Sequence, residues 1–170
     1  MEALFIGSSI TLNLAISLGV GSSTLAILHF FKAIWDGEID ETERGMLGVV
    51  YVVLRVAMVL ILIAYLAQVL LGYAGMESYY YESAHAYSAA LLLSALYVNA
   101  ILMTAKVVPS TVGPALQAAS WYTLGLLASL VPLGILNFSF EVFLLGYMSL
   151  FAVFLVVVNG VMIWLRKERV

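Results

Sequence analysis

Long apolar runs alternate with short polar connectors along this 170-residue chain. Five runs are long enough to cross a bilayer, which needs about 20 mostly apolar residues per helix. They cover residues 4–35, 47–73, 84–108, 115–137 and 141–165. Backbone groups in hydrocarbon must be satisfied within their own segment, and the runs are too long and too unalternating for barrel strands. Each run is therefore predicted to be an α-helix.

Composition supports a single integral membrane domain. The chain is 64% hydrophobic and only 10% charged, whereas a soluble domain carries about a quarter charged residues. The spans use nearly the whole chain, so we predict an all-α protein, a five-transmembrane-helix bundle over residues 1–170 with the lipid bilayer as its partner. The absence of cysteine excludes disulfides and thiolate metal sites. A net charge of −3 offers nothing to a nucleic-acid backbone.

The positions of the charged residues predict the orientation. In the five-span arrangement one side of the membrane receives six cations: Lys32, Arg44, Lys106, Arg166, Lys167 and Arg169. The opposite side receives no Lys or Arg and carries four acids: Glu2, Glu77, Glu82 and Glu141. By the positive-inside rule the basic side is cytoplasmic. This places the N-terminus outside and the C-terminus in the cytoplasm, in a cytoplasmic (inner) membrane.

Two local patterns predict details of the helices. The acidic connector before the second span contains Asp40 or Thr42 as the N-cap of a helix, with Glu43 placed favourably for the helix dipole. In the fourth span Pro132 removes a backbone hydrogen bond and should kink the helix.

Small residues recur every four positions on the first helix: Thr11, Ala15, Gly19 and Ser23. A neighbouring strip contains Ser17 and Gly21. Because small residues let helix backbones approach closely in lipid, the first helix is expected at the centre of the bundle or at a subunit interface. Packing within the chain and a homo-oligomer both fit this pattern.

Arg55 interrupts the second apolar run. Counted at ~1.5 Å per residue, it lies roughly 7 Å from the midplane on the cytoplasmic side. By the same count Asn99 and Asn159 lie roughly 6 and 10 Å from the midplane on that side, and His29 lies still closer to the cytoplasm. A charge at this depth is expected to face the bundle interior or a watery cavity with a partner. Three interpretations stay open: snorkelling to a lipid phosphate, a hydrogen-bond hub, and an anion or polar-solute site.

The two histidines suggest a b-type haem, but their spacing argues against it. His29 and His85 lie roughly 30 Å apart along the membrane normal by helical rise, too far for one iron. His85 is expected instead in an outer-face cluster with Glu82, because residues three apart share a helix face. Two such side chains are too few to predict a metal site.

No catalytic motif is visible, so an enzyme is the less favoured class. The leading hypothesis is a membrane protein that binds or transports a small polar or anionic solute in an inner-half cavity lined by Arg55, His29, Asn99 and Asn159. Two alternatives remain: a structural or accessory subunit that packs against a membrane-protein partner, and a b-haem electron carrier.

Overall fold

The computed structural model of the protein describes residues 2–36, 40–74, 84–109, 111–130, 133 and 137–167, excluding the side chains of 33–36, 73 and 165–167. Five helices follow one another along this part of the chain: α1 (Glu2–Asp36), α2 (Glu41–Tyr73), α3 (Ala84–Thr104), α4 (Gly113–Leu130) and α5 (Phe140–Lys167). The described residues contain no strand. The all-α class predicted from the sequence is therefore confirmed.

Four of the five helices, α1, α2, α3 and α5, are long and apolar enough to cross a membrane. Only 17% to 28% of the most apolar stretch of each helix is buried, and large side chains such as Ile63 and Leu70 on α2 and Leu145 and Val156 on α5 are exposed. Soluble monomers rarely expose contiguous apolar patches larger than a few hundred Å². The surface of these helices is therefore suited to lipid, as expected for a membrane protein.

α4 differs from the other helices because it is short and mostly enclosed. Its 18 residues span about 27 Å, and ten of them are buried. α4 contacts α1, α3 and α5, so the central position predicted for the first helix is shared with α4. Because other helices cover it, α4 carries polar residues such as Gln117 and Thr123 without exposing them to lipid.

The helix boundaries depart from the predicted spans at several ends. α4 ends at Leu130 rather than continuing to residue 137, and Leu133 forms a turn. Pro132 and its predicted kink lie outside the described residues. α3 ends at Thr104 instead of 108, because Lys106 adopts a left-handed φ of 57°. The amides of Lys106 and Val107 donate to the carbonyls of Met103 and Leu102, an arrangement that terminates a helix.

The start of α2 confirms the predicted cap. Asp40 is the N-cap, and its Oδ1 accepts a hydrogen bond of 2.6 Å from the amide of Glu43. The helix begins at Glu41, six residues before the predicted apolar span, because this cap and two acidic residues stabilise its first turn. The Glu43 side chain is only 6% exposed. Its Oε1 lies 2.5 Å from Nζ of Lys32, which joins the end of α1 to the start of α2.

Contacts between side chains establish that consecutive helices are antiparallel. Lys32 near the end of α1 pairs with Glu43 at the start of α2, and Gln68 near the end of α2 bonds Ser9 near the start of α1. The same pattern relates α3 to α4 and α4 to α5. The end of α1, the start of α2, the α3–α4 turn and the end of α5 therefore lie at one end of the bundle.

Within the small-residue strip of α1, Gly19 packs against α4. Ala15, Gly19 and Ser23 are buried, and a Cβ added at Gly19 would lie 2.2 Å from Cζ3 of the Trp121 ring. The first of the two packing interpretations, contact within the chain, is confirmed for these three residues but not for Thr11, which is only partly buried. Gly21 in the neighbouring strip is exposed, and a Cβ there would meet nothing within 4 Å.

Candidate functional site

A cavity of about 360 Å³ lies between α1, α2, α3 and α4. Ligand pockets in proteins typically measure roughly 300–1,000 Å³, so this cavity is large enough for a small molecule. Each of the four helices contributes to its wall, for example through Ile16, Ile61, Leu93 and Leu124. It lies in the half of the bundle opposite to the end that carries Lys32, Glu43 and Lys106.

Helix pairing and small side chains explain why space remains here. α2 packs chiefly against α1, whereas α3 packs chiefly against α4, so the two pairs leave a gap between α2 and α3. Three alanines, Ala86, Ala89 and Ala128, line this gap and do not fill it. The cavity is therefore a product of the bundle's pairing rather than of any single loop.

Two tyrosines bridge the gap between α2 and α3. The hydroxyl of Tyr65, which lines the cavity, donates to the carbonyl of Ala86 at 3.4 Å. The hydroxyl of Tyr97 donates to the carbonyl of Met58. Because Met58 precedes Tyr65 by two turns of α2, the Tyr97 bridge lies on the side of the cavity toward the middle of the bundle.

Five polar side chains interrupt an otherwise apolar wall of sixteen residues: Ser9, Asn13, Tyr65, Gln68 and His85. The amide Nε2 of Gln68 donates to Oγ of Ser9 at 3.1 Å, which ties α2 to α1. Nδ2 of Asn13 donates to the carbonyl of Ser9 at 2.9 Å. Among the described residues, the side-chain oxygens of Asn13 and Gln68 accept no hydrogen bond. These oxygens are available to a hydrogen-bonding group on a ligand.

His85 forms the part of the wall that α3 contributes at its first turn. Its Nε2 lies 3.5 Å from the carbonyl oxygen of Leu127 on α4, a long contact, and its ring centroid is 6.4 Å from that of Phe138. The predicted contact between Glu82 and His85 on the outer face stays a prediction, because Glu82 lies outside the described residues. His85 is thus placed beside the cavity, a position its spacing from Glu82 did not indicate.

Asn99, one of the four residues predicted to share an inner-half site, ties α3 to α4. It is 2% exposed, and its Nδ2 lies 2.9 Å from both the carbonyl oxygen of Gly113 and Oε1 of Gln117. Its own Oδ1 has no partner in the part of the chain that the structure describes. The geometry is that of a hydrogen-bond hub between two helices, a role that the sequence had suggested only for Arg55.

The other three predicted residues are not joined to Asn99. His29 bonds the carbonyl of Leu25, and Asn159 donates to that of Leu155, each at 2.7 Å within its own helix. Arg55 is exposed on α2 and bonds no other described residue, so of the two expected surroundings, the bundle interior and a watery cavity, it does not have the first within this chain. None of the four lines either cavity described for this bundle. The shared inner-half solute site stays an untested prediction.

A second cavity of about 520 Å³ lies between α4 and α5. The part of its wall that the structure describes is almost wholly apolar, and Thr123, Tyr147 and Ser149 are the hydroxyl-bearing residues there. The Tyr147 hydroxyl is already bonded to Oγ of Ser120 at 2.8 Å, and Thr123 donates to the carbonyl of Ala119. This cavity therefore offers little to orient a ligand.

Among the described residues, no three His, Cys, Asp or Glu side chains are grouped closely enough to hold a metal ion.

Comparison of the chain with protein-family models, with curated proteins and with solved structures finds no match. Functional inference therefore rests on the residues of this chain.

The sequence did not predict Ser9, Asn13 and Tyr65 as cavity residues, although one polar residue in the second apolar run indicated this position. Gln68 is one of only two strongly polar interruptions of the apolar run from 47 to 73, the other being Arg55.

Proposed function

We propose that this protein is a five-span protein of the cytoplasmic membrane that binds a small, uncharged and mostly apolar molecule in the cavity between α1, α2, α3 and α4. The observation that carries the binding proposal is the convergence of five polar side chains in an apolar cavity of about 360 Å³. Such a combination is typical of sites for small molecules.

The chemistry of the wall favours an uncharged ligand. No Asp, Glu, Lys or Arg among the described residues lines the cavity, so an ionic ligand would be buried without a counter-charge, which costs several kcal/mol. Apolar contacts with the aliphatic wall would supply most of the binding free energy. The free oxygens of Asn13 and Gln68 favour a hydroxyl or N–H group on the ligand that donates to them.

The size of the cavity limits the ligand. A volume of 360 Å³ corresponds to the liquid-phase share of roughly a dozen water molecules, at about 30 Å³ each. Because a cavity of about 150 Å³ is enough for benzene, this space has room for a substituted or two-ring aromatic molecule or for a medium-chain alcohol. Small phenols and aliphatic alcohols are therefore the first compounds to test.

A thermal-stability assay tests the binding proposal. The purified protein is heated with small phenols or alcohols, because a ligand at 100 times its Kd stabilises the folded state by about 2.7 kcal/mol. Ala89→Phe should fill the cavity and abolish the shift in Tm, and Gln68→Leu should reduce it. Ile63→Phe on the exposed face of α2 is the matched control. Equal shifts in Ala89→Phe and the control would contradict the proposal.

Cysteine labelling tests the five-span topology. Because the chain has no native cysteine, single cysteines can be placed at Thr111 and Ser139, on opposite sides of α4. With five spans and the N-terminus outside, a membrane-impermeant thiol reagent added to whole cells labels Ser139→Cys but not Thr111→Cys. Labelling both positions equally from outside would show that α4 does not cross the membrane.

A further inference from the structure

The exposed face of α2 carries a stripe of four residues, Arg44, Gly48, Tyr51 and Arg55, called here the arginine stripe. Their spacings of four, three and four residues place them on one face of the helix. All four are exposed, and Tyr51 is 49% exposed. Neighbouring exposed residues, such as Val52 and Val59, are apolar. The stripe is thus a cationic interruption in a face suited to lipid.

The direction of the side chains brings Arg55 toward the Arg44 end of the stripe. The Cα atoms of the two arginines are about 16 Å apart along the helix axis. Side chains on an α-helix lean toward its N-terminus, which for α2 is the Arg44 end. We therefore expect the Arg55 guanidinium to extend toward Tyr51 and the membrane surface rather than toward the bilayer centre, as in snorkelling.

The stripe has room for an anionic group beside Gly48, on the Arg44 side of Arg55. A Cβ at Gly48 would meet nothing within 4 Å, so a headgroup can approach the helix backbone there. Neither Arg44 nor Arg55 forms an ion pair with a described residue. Glu41 lies one turn before Arg44 on the same face and pairs with neither arginine, and it is about four turns of the helix from Arg55.

A phosphate is the anion that fits this position. The acidic residues of the chain all lie in the connectors or at the ends of the apolar runs, so a second copy has no carboxylate at the level of Arg55. Phospholipid phosphates, by contrast, lie at the membrane surface toward which we expect Arg55 to extend. We infer that the arginine stripe binds the phosphate of an anionic phospholipid. This inference rests on the proposed topology, in which α2 crosses the bilayer with Arg44 at its cytoplasmic surface.

Native mass spectrometry of the delipidated protein with added phosphatidylglycerol tests this inference. Arg55→Gln should weaken retention of the lipid by about tenfold, the effect of losing one charge-assisted contact. Gly48→Leu keeps every charge and favours the helix, yet should also weaken retention because its side chain fills the headgroup space. Lys106→Gln, which removes an exposed cation outside the stripe, is the matched control and should retain the lipid like the wild type.

Three results would overturn the inference. The first is wild-type retention in both Arg55→Gln and Gly48→Leu. The second is an equal loss in all variants including Lys106→Gln, which would mean that only net charge matters. The third is a membrane protein that copurifies with the wild type, is lost in Arg55→Gln and is not displaced by phosphatidylglycerol. The cavity variant Ala89→Phe should retain the lipid normally, so failure here is distinguishable from failure of the proposed ligand site.

Discussion

Gly19 is the position where adding one methyl group should disturb the fold most clearly. Its backbone packs directly against the indole ring of Trp121, and a Cβ there would lie 2.2, 2.3 and 2.5 Å from three ring carbons. Trp121 is fully buried at 0% exposure within the main hydrophobic cluster. The ring therefore has no space into which it can withdraw. Gly19→Ala should force α1 and α4 apart.

The expected magnitude follows from the geometry of this contact. Carbon atoms prefer separations of about 3.5 Å or more, so the closest pair would be roughly 1.3 Å too close. Overpacking of a core costs about 1–3 kcal/mol, whereas replacing a helical glycine by alanine gains about 0.5–1 kcal/mol. With three ring atoms affected, we expect Gly19→Ala to lower the free energy of unfolding by about 2 kcal/mol.

The assay is reversible unfolding in mixed micelles, with increasing sodium dodecyl sulfate and circular dichroism as the measure of helix content. Gly21→Ala is the matched control, because it lies on the same helix and its Cβ would meet nothing within 4 Å. It should be neutral or stabilising by up to about 1 kcal/mol. In a Trp121→Leu background, Gly19→Ala should become nearly neutral because the ring is gone. If Gly19→Ala and Gly21→Ala unfold together, the close contact between α1 and α4 does not exist.

Three further predictions concern single contacts and use the same unfolding assay. Lys106→Gly should stabilise the protein by about 1 kcal/mol, because glycine adopts the left-handed φ of 57° without strain; Lys106→Ala keeps the Cβ and should not stabilise. Asn99→Leu should destabilise by about 1–3 kcal/mol, because it leaves the buried Oε1 of Gln117 without its partner; a neutral result would mean that the hub is dispensable. Tyr147→Phe should lower the free energy of unfolding by only about 0.6 kcal/mol, because the Ser120 hydroxyl still donates to its own helix. A decrease as large as that of Asn99→Leu would contradict this prediction.

The helices and their caps were predictable from the sequence because those features are local. Apolar length predicted five spans, and four of the five helices are long and apolar enough to cross a membrane; Asp40 followed by Glu43 marked the start of α2. The helix ends were less predictable. α3 ends at Thr104 because Lys106 adopts a left-handed conformation, which the presence of a lysine does not predict.

Arg55 shows where sequence reasoning reached its limit. Its depth in the apolar run could be counted, but its direction around the helix could not. The expectation that Arg55 faces the bundle interior or a watery cavity assumed that a charge avoids lipid, whereas the structure places Arg55 on the exposed face of α2. The residues of the candidate cavity could not be predicted for a related reason. Ser9 and Gln68 are far apart in the chain, and the pairing of α1 with α2 brings them together.

The sequence by itself determined the helical class, the approximate positions of the helices and the end of the bundle where cations gather. The tertiary structure decided which faces are buried, that α4 shares the centre, and where the cavity lies. The physical reason is that lipid is as apolar as a leucine-rich core, so both faces of a membrane helix can be apolar and periodicity does not distinguish them. Inward and outward faces are then set by close packing, as at Gly19 and Trp121, which depends on residues distant in the chain.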